Sequence, residues 1–133
     1  MIKHASKLLP FLLLALFASG CSSSSSKNPT AATDSYYQTG IASWYGGEYH
    51  GQPTASGEIF NKNAMTAAHR DLPFDTWIQV YNLENGYKIR VRINDRGPFV
   101  EGRIIDLSER AAEELGMKIA GLAQVGIEIV SGP

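Results

Sequence analysis

The segment Tyr87–Ile93 alternates between polar and apolar side chains, with lysine or arginine at every second position and isoleucine or valine between them. A period of two residues places the apolar side chains on one face of a β-strand, whereas a helix would scatter them around its axis. A second segment rich in strand-forming residues, Trp77–Tyr81, comes before it. Asn85 and Gly86 lie between the two segments, and both tolerate positive φ, which favours a reversal of the chain. The sequence therefore predicts a β-hairpin near the middle of the chain.

The rest of this region is predicted to contain further short strands and one helix. Strands are predicted at Tyr37–Tyr45, which is rich in aromatic and β-branched residues, and at Ile127–Val130. A helix is predicted for Glu109–Leu115, with Ser108 as its N-cap and Gly116 as its C-terminal stop. Short strands with one helix in about 95 residues predict a mostly β domain that closes into a small barrel, because closure leaves few exposed sheet edges.

The N-terminal region has a different composition. Lys3 and Lys7 precede an apolar stretch, Leu8–Phe17, which is followed by small residues and then by Cys21. Ten apolar residues make about 15 Å of helix, half of a hydrocarbon core of about 30 Å, so the stretch is too short to span a membrane. Residues 1–20 as a whole are predicted to be a signal peptide. The residues before Cys21 resemble a bacterial lipobox, which implies that this cysteine is lipidated. The alternative is an ordinary cleavage site followed by a free thiol.

A flexible linker is predicted to join the N-terminal region to the domain, and the net charge and the cysteine count restrict what the protein can bind. A serine run, Ser22–Ser26, opens a flexible linker over residues 21–36, and the domain is predicted to occupy residues 37–133. A net charge of −1 argues against binding to nucleic acid. The single cysteine rules out a disulfide framework, and no spacing of histidine and cysteine supports a metal site. We therefore expect neither a metal nor another cofactor.

Four side chains are candidates for acid–base chemistry. Glu58 lies in a turn of small residues, His69 follows Ala67-Ala68, Asp95 ends a predicted strand before Gly97-Pro98, and Asp106 precedes the predicted helix. Each has a structural alternative: Glu58 as a solvated turn residue, His69 as a hydrogen-bonded structural histidine, and Asp106 as a helix cap. For Asp95 the alternatives are an ion pair with Arg92 or Arg96, or an Asx-type turn.

Several motifs, in order along the domain, resemble those of the RlpA family. They are Ala42-Ser43-Trp44-Tyr45-Gly46, His50-Gly51, Thr54-Ala55-Ser56-Gly57-Glu58, Met65-Thr66-Ala67-Ala68-His69, Leu72-Pro73-Phe74, Asn94-Asp95-Arg96-Gly97-Pro98-Phe99 and Ile104-Ile105-Asp106-Leu107-Ser108. This resemblance implies a six-stranded double-psi β-barrel with one short helix. It also implies an endolytic lytic transglycosylase that cleaves peptidoglycan glycan strands, prefers strands without stem peptides and leaves 1,6-anhydro-N-acetylmuramic acid ends. Its implied roles are cell wall organisation and septal cell separation.

The resemblance also implies site residues. It makes Glu58 and Asp95 essential for cleavage, with His69 beside them. Asp95 is expected to be the acid/base, because the end of a strand holds its backbone rigidly. Asp106 is its rival, since its surroundings resemble a motif of expansins, and which carboxylate donates the proton stays open here.

Substrate-binding residues are expected around the carboxylates. Trp44 and Tyr45 are expected to stack on sugars, unless one of the pair belongs to the barrel core, and His50 and Arg96 are expected to line the groove. The expected partners are peptidoglycan strands and, through lipidated Cys21, the periplasmic face of the outer membrane. Divisome proteins are left open as partners. The competing hypothesis is a non-catalytic, expansin-like module that binds glycan or loosens the wall.

Overall fold

Residues 35–133 are described by a computed structural model. The predicted signal peptide, Cys21 and the linker up to residue 34 lie outside the described residues. Six strands and one α-helix make up the fold of residues 35–133, with one turn of 3-10 helix at Gly47–Tyr49. They are β1 (Gln38–Tyr45), β2 (Thr66–Ala68), β3 (Trp77–Asn82), β4 (Lys88–Asp95), β5 (Arg103–Ser108), α1 (Glu109–Glu114) and β6 (Ala123–Ser131). No helix in residues 35–133 is long and apolar enough to cross a membrane.

The strands form a closed barrel in the order β1-β5-β2-β4-β3-β6, so the predicted closed, mostly β architecture is confirmed. Two neighbouring pairs, β1 with β5 and β2 with β4, are parallel, and the other pairs are antiparallel. The short strand β2 lies between β4 and β5. This insertion brings the ends of three strands that are distant in sequence to one place on the barrel.

Branched aliphatic side chains and alanines form the hydrophobic core. The buried members from the strands are Ala42, Ala67, Ile78, Val80, Ile89, Val91, Ile93, Ile104, Ile105, Leu107, Ala123, Val125 and Ile127. Ile89, Val91 and Ile93 are the apolar half of the alternating segment, and they face this core as predicted. The helix α1 packs against β1, β4 and β5 and buries Ala111 and Ala112.

The predicted helix is confirmed together with its cap. The Ser108 hydroxyl accepts a hydrogen bond from the Ala111 backbone N–H, and Gly116 takes a positive φ just after the helix. Asp106 lies within β5 and not at the helix terminus. The hypothesis that Asp106 caps the helix is therefore wrong, because Ser108 already occupies that position.

The predicted hairpin is present, but its turn is longer than the Asn-Gly signal indicates. β3 ends at Asn82 and β4 begins at Lys88, and Gly86 has positive φ while Asn85 does not. Asn82 stabilises the turn instead, because its side-chain oxygen accepts from the Glu84 N–H and its own backbone carbonyl accepts from the Gly86 N–H.

Candidate active site

A row of four residues crosses four neighbouring strands at one end of the barrel. In the strand register, Ser43 of β1 pairs with Asp106 of β5, Asp106 pairs with Ala68 of β2, and Ala68 pairs with Asp95 of β4. Paired residues on adjacent strands point to the same face of a sheet. Ala68 therefore lies between two aspartates whose Cα atoms are two strand spacings apart, roughly 10 Å.

A cavity of about 210 Å³ opens over this row. Ala68, Asp95 and Asp106 line it from the barrel, together with Tyr45 and Arg96. Its other wall comes from the long connection between β1 and β2 and consists of Tyr49, Gln52, Pro53, Thr54 and Phe60. The structure thus brings two of the four predicted acid–base residues, Asp95 and Asp106, into one cavity.

Asp106 is held in a partly buried position. The Ser43 hydroxyl donates a hydrogen bond to Asp106 Oδ1. Burial is the largest influence on the pKa of the Asp106 carboxyl and raises it, and the negative charge of Asp95 raises it further. The Ser43 hydrogen bond and the positive charge of Arg103 lower this pKa, but the net shift is upward. The environment of Asp106 therefore favours the protonated form, the form that can donate a proton.

Asp95 is held by backbone groups. Its Oδ1 accepts hydrogen bonds from the backbone N–H of Ala55, at 2.9 Å, and of Arg96, at 2.8 Å. The first of these bonds ties the 54–58 turn to the end of β4. The second is a local bond to the next residue, one residue short of the bond that defines an Asx-type turn. The Arg96 guanidinium is directed elsewhere, since it donates to the backbone carbonyls of His69 and Leu72.

Glu58 lies beside the cavity and not among its lining residues. Its carboxylate makes a two-pronged ion pair with the Arg92 guanidinium, with N–O distances of 2.6 and 2.8 Å, and Arg92 also pairs with Asp75. The hydrogen bond from Arg92 lowers the pKa of Glu58. Glu58 is therefore held as an anion, and its backbone carbonyl closes the turn by accepting from the Thr54 N–H.

His69 is buried, and its ring does not line the cavity. Nδ1 accepts from the backbone N–H groups of Asp71 and Leu72, so Nε2 carries the proton and donates to the Gln38 side-chain oxygen at 2.8 Å. Burial lowers the pKa of His69, which keeps the ring neutral. The geometry corresponds to the hydrogen-bonded structural histidine. Its backbone N–H donates to the Asp95 carbonyl, which links His69 to the site.

Trp44 and Tyr45 point to opposite faces of β1, as strand alternation requires. The Trp44 ring packs against the core, and its indole N–H donates to the Lys118 carbonyl, whereas Tyr45 lines the cavity. The Tyr45 ring packs against Phe60, with centroids 4.5 Å apart, and edge-on against Tyr49. Its hydroxyl is buried with no hydrogen-bond partner in the described residues. Burial raises its pKa, so the phenol stays protonated.

The two remaining predicted binding residues differ in position. Arg96 lines the cavity and lies over the Phe74 ring, 4.0 Å from its centroid. His50 is exposed outside the cavity lining, and its Nδ1 accepts from the Lys62 backbone N–H. His50 therefore stabilises the connection between β1 and β2, whereas Arg96 reaches the cavity.

Sequence reasoning missed Ser43 and Ala68 as members of the site. Ser43 is two residues before Tyr45 on the same strand, so period-two alternation places both side chains on one face. Ala68 carries no polar group, and only its pairing on both sides makes it the spacer between the aspartates. No group of three or more His, Cys, Asp or Glu side chains in residues 35–133 is arranged to hold a metal ion.

Comparisons with known proteins agree with this geometry. A family model described as lytic transglycolase matches residues 37–127. The chain is 56% identical over 100 residues to a Synechocystis sp. protein named "Probable endolytic peptidoglycan transglycosylase RlpA", covering 75% of this chain and 31% of that protein. It is 50% identical over 105 residues to the Vibrio cholerae "Endolytic peptidoglycan transglycosylase RlpA", covering 79% of this chain and 38% of that protein. The chain thus spans about a third of the length of these curated relatives.

A solved structure supports the fold. The apo expansin of Clavibacter michiganensis superposes with a TM-score of 0.55 at 25% identity, covering 71% of this chain and 50% of that chain. The prediction of a six-stranded double-psi β-barrel with one short helix is confirmed. The match to the family model covers more than half of the sequence, and the relatives share about half of their aligned residues with it. The chain therefore belongs to the lytic transglycolase family.

Proposed function

We propose that this protein is an endolytic lytic transglycosylase that cleaves the glycan strands of peptidoglycan. The observation that carries the proposal is the pair of aspartates, Asp95 and Asp106, that flank Ala68 in one cavity. Glycosidic bond cleavage needs one carboxyl group that gives a proton and one that takes a proton. The names of the relatives, which are peptidoglycan transglycosylases, supply the substrate class.

In this proposal Asp106 is the general acid. Its environment favours the protonated carboxyl, and an acid has to be protonated at the working pH before it can act. It gives its proton to the glycosidic oxygen as the bond from that oxygen to C1 of N-acetylmuramic acid breaks. The Ser43 hydroxyl fixes Oδ1, which orients the carboxyl in the cavity.

Asp95 is then the base. Two backbone N–H groups donate to its Oδ1, so the carboxylate behaves as an acceptor, as a base must. It takes the proton of the C6 hydroxyl of the same N-acetylmuramic acid, and that oxygen attacks C1 to close a 1,6-anhydro ring. One C–O bond breaks and one forms, no water is consumed, and solvent exchange returns the proton from Asp95 to Asp106.

Glu58 and His69 act in this scheme as positioning residues. The Glu58–Arg92 ion pair stabilises the turn whose Ala55 N–H holds Asp95. His69 helps to place the same residue through the main chain, because its backbone N–H donates to the backbone carbonyl of Asp95. Both would be required for cleavage without touching the sugar.

The second candidate function is a non-catalytic glycan-binding module that loosens the wall. The likeness to an expansin structure favours it. Such a module would need a groove and aromatic side chains, but no carboxyl group with a raised pKa. The raised pKa of Asp106 favours the enzyme.

The deciding experiment is incubation of the full chain with glycan strands stripped of stem peptides, followed by mass spectrometry of the products. Anhydro ends are expected, and they are expected to disappear in Asp95→Asn and Asp106→Asn. Glu114→Gln, which removes an exposed carboxylate on α1, is the control that should retain activity. Reducing ends would indicate a hydrolase, and binding without any product would favour the expansin-like module. Intact, peptide-bearing strands test the preference for stripped strands.

We also propose that the protein acts outside the cytoplasm, anchored by lipid on Cys21 to the outer membrane, in cell wall organisation and septal cell separation. The peptidoglycan substrate named for the relatives supports a location in the envelope. The apolar stretch before Cys21 supports the anchor. Cys21→Ala should move the protein from the membrane fraction to the soluble periplasmic fraction, and unchanged sedimentation with membranes would contradict the anchor.

A further inference from the structure

The loop Arg96–Gly102 carries an aromatic side chain with no role in the chemistry proposed above. This loop leaves the site at Asp95, the last residue of β4, and returns at Arg103, the first residue of β5. At its tip Phe99 is 81% exposed, more than any other aromatic side chain in residues 35–133. Phenylalanine has no polar atom to interact with water, so this exposure gains nothing for the folded protein.

The Phe99 ring lies close to the proposed acid. The position that a Cβ atom would take on Gly97 is 3.6 Å from the Phe99 ring and 4.0 Å from Asp106 Oδ2. The ring edge is therefore at most 7.6 Å from the carboxylate oxygen, which is the sum of these two distances. Gly97 has a φ of 121°, and its missing side chain leaves the space between the ring and the carboxylate open.

The cavity is too small for more than a short part of a glycan strand. Its volume of about 210 Å³ lies between the end of the barrel and the β1–β2 connection. A strand that is cut in its interior must therefore extend over the rim in both directions. Phe99 is absent from the cavity lining but lies close to Asp106, which does line the cavity.

We propose that the Phe99 ring is a stacking platform for a sugar unit next to the one held between Asp95 and Asp106. Pyranose rings present C–H groups on their faces, and an exposed aromatic ring binds them through apolar contact at low entropic cost. The inference rests on the proposed function for the identity of the ligand, a strand of alternating N-acetylglucosamine and N-acetylmuramic acid.

The test measures glycan binding separately from cleavage. Peptide-free glycan oligosaccharides are titrated by calorimetry against the full chain carrying Asp106→Asn, with and without Phe99→Ala. We expect Phe99→Ala to weaken binding by about tenfold. Phe99→Tyr should restore binding because it keeps a ring, whereas Phe99→Leu should not. Tyr87→Ala is the control: Tyr87 is also an exposed aromatic, but it lies against Gly116 away from the cavity, so binding should stay unchanged.

Several outcomes decide the proposal. Melting temperatures of the Phe99 variants should stay near that of the parent, because the ring is exposed, so a loss of binding cannot be assigned to unfolding. Equal affinity of Phe99→Ala and its parent, restoration by Phe99→Leu, or no detectable glycan binding by the parent would each overturn the platform. Glycan binding that depends on Phe99, in a chain whose wild type forms no anhydro product, would overturn the proposed function and keep the platform.

Discussion

Replacing Asp106 with asparagine tests the proposed acid with little change of shape. The amide oxygen of asparagine can still accept the hydrogen bond from Ser43, so the packing around residue 106 is kept. The side chain loses only the proton that it would transfer. General acid catalysis contributes about 10²–10⁴-fold, or about 3–5 kcal/mol of barrier at 1.36 kcal/mol per decade. We therefore expect the rate of anhydro-end formation to fall by two to four decades.

The same substitution has a stability signature with a definite sign. The pKa of Asp106 is raised in the folded protein, so the folded state favours the neutral form. The contribution of this group to stability is complete below the unfolded pKa, near 3.8, and is lost as pH rises through the folded pKa. Asparagine cannot ionise, so the variant escapes this loss. Its melting temperature relative to wild type should therefore increase between pH 4 and pH 7.

The assay combines a time course of anhydro ends by mass spectrometry with thermal unfolding at several pH values. Glu114→Gln, on the exposed face of α1, controls for the loss of a carboxylate elsewhere. A variant that keeps a third or more of the wild-type rate would refute Asp106 as the acid. A melting temperature that falls relative to wild type as pH rises would refute the burial argument.

Three other substitutions test the surroundings of the two aspartates. Ser43→Ala removes a hydrogen bond that lowers the pKa of Asp106, so the alkaline limb of the pH–rate profile should move to higher pH; an unmoved limb would contradict this. Glu58→Gln breaks the ion pair with Arg92. In the wild type this pair lowers the pKa of Glu58. The stability that the pair contributes is therefore present above the unfolded pKa and is lost as pH falls through the folded pKa. Urea unfolding should show a loss of at most about 1 kcal/mol at pH 7 and none at pH 2, since the pair is partly exposed. His69→Ala leaves the buried Leu72 N–H and the partly buried Asp71 N–H without their acceptor and should cost about 1–3 kcal/mol by the same measurement, whereas a loss below about 0.5 kcal/mol would contradict the structural role.

Local sequence signals were sufficient for most of the barrel. The alternation of β4, the capped helix after Ser108 and the strand before Gly46 each depend on neighbours within a few residues, and the structure has all three. β2 has only three residues, Thr66–Ala68, which is too short for a periodic pattern to appear. No strand is predicted at β5, because its apolar residues run without clear alternation.

The site was harder to predict, because its geometry comes from pairing between distant segments. Asp95 and Asp106 could be named from their motifs, but the row that joins them requires β2 to lie between β4 and β5. His69 stands in an equally suggestive motif, yet its ring is directed into the protein. Its direction depends partly on Gln38, which lies on another strand, and partly on the fold of the chain at Asp71 and Leu72.

The insertion of Ala68 between the two aspartates has a consequence for how members of this family can diverge. Backbone hydrogen bonds of a closed barrel set the gap between the acid and the base, so neither partner needs a hinge or a lid to reach the working distance. Substrate preference can then change through the β1–β2 and β4–β5 connections while the reacting groups stay fixed. Exchanging these two loops between relatives, while the 54–58 turn and Arg96 that hold Asp95 are kept, should transfer the choice of glycan and leave the bond-breaking step intact.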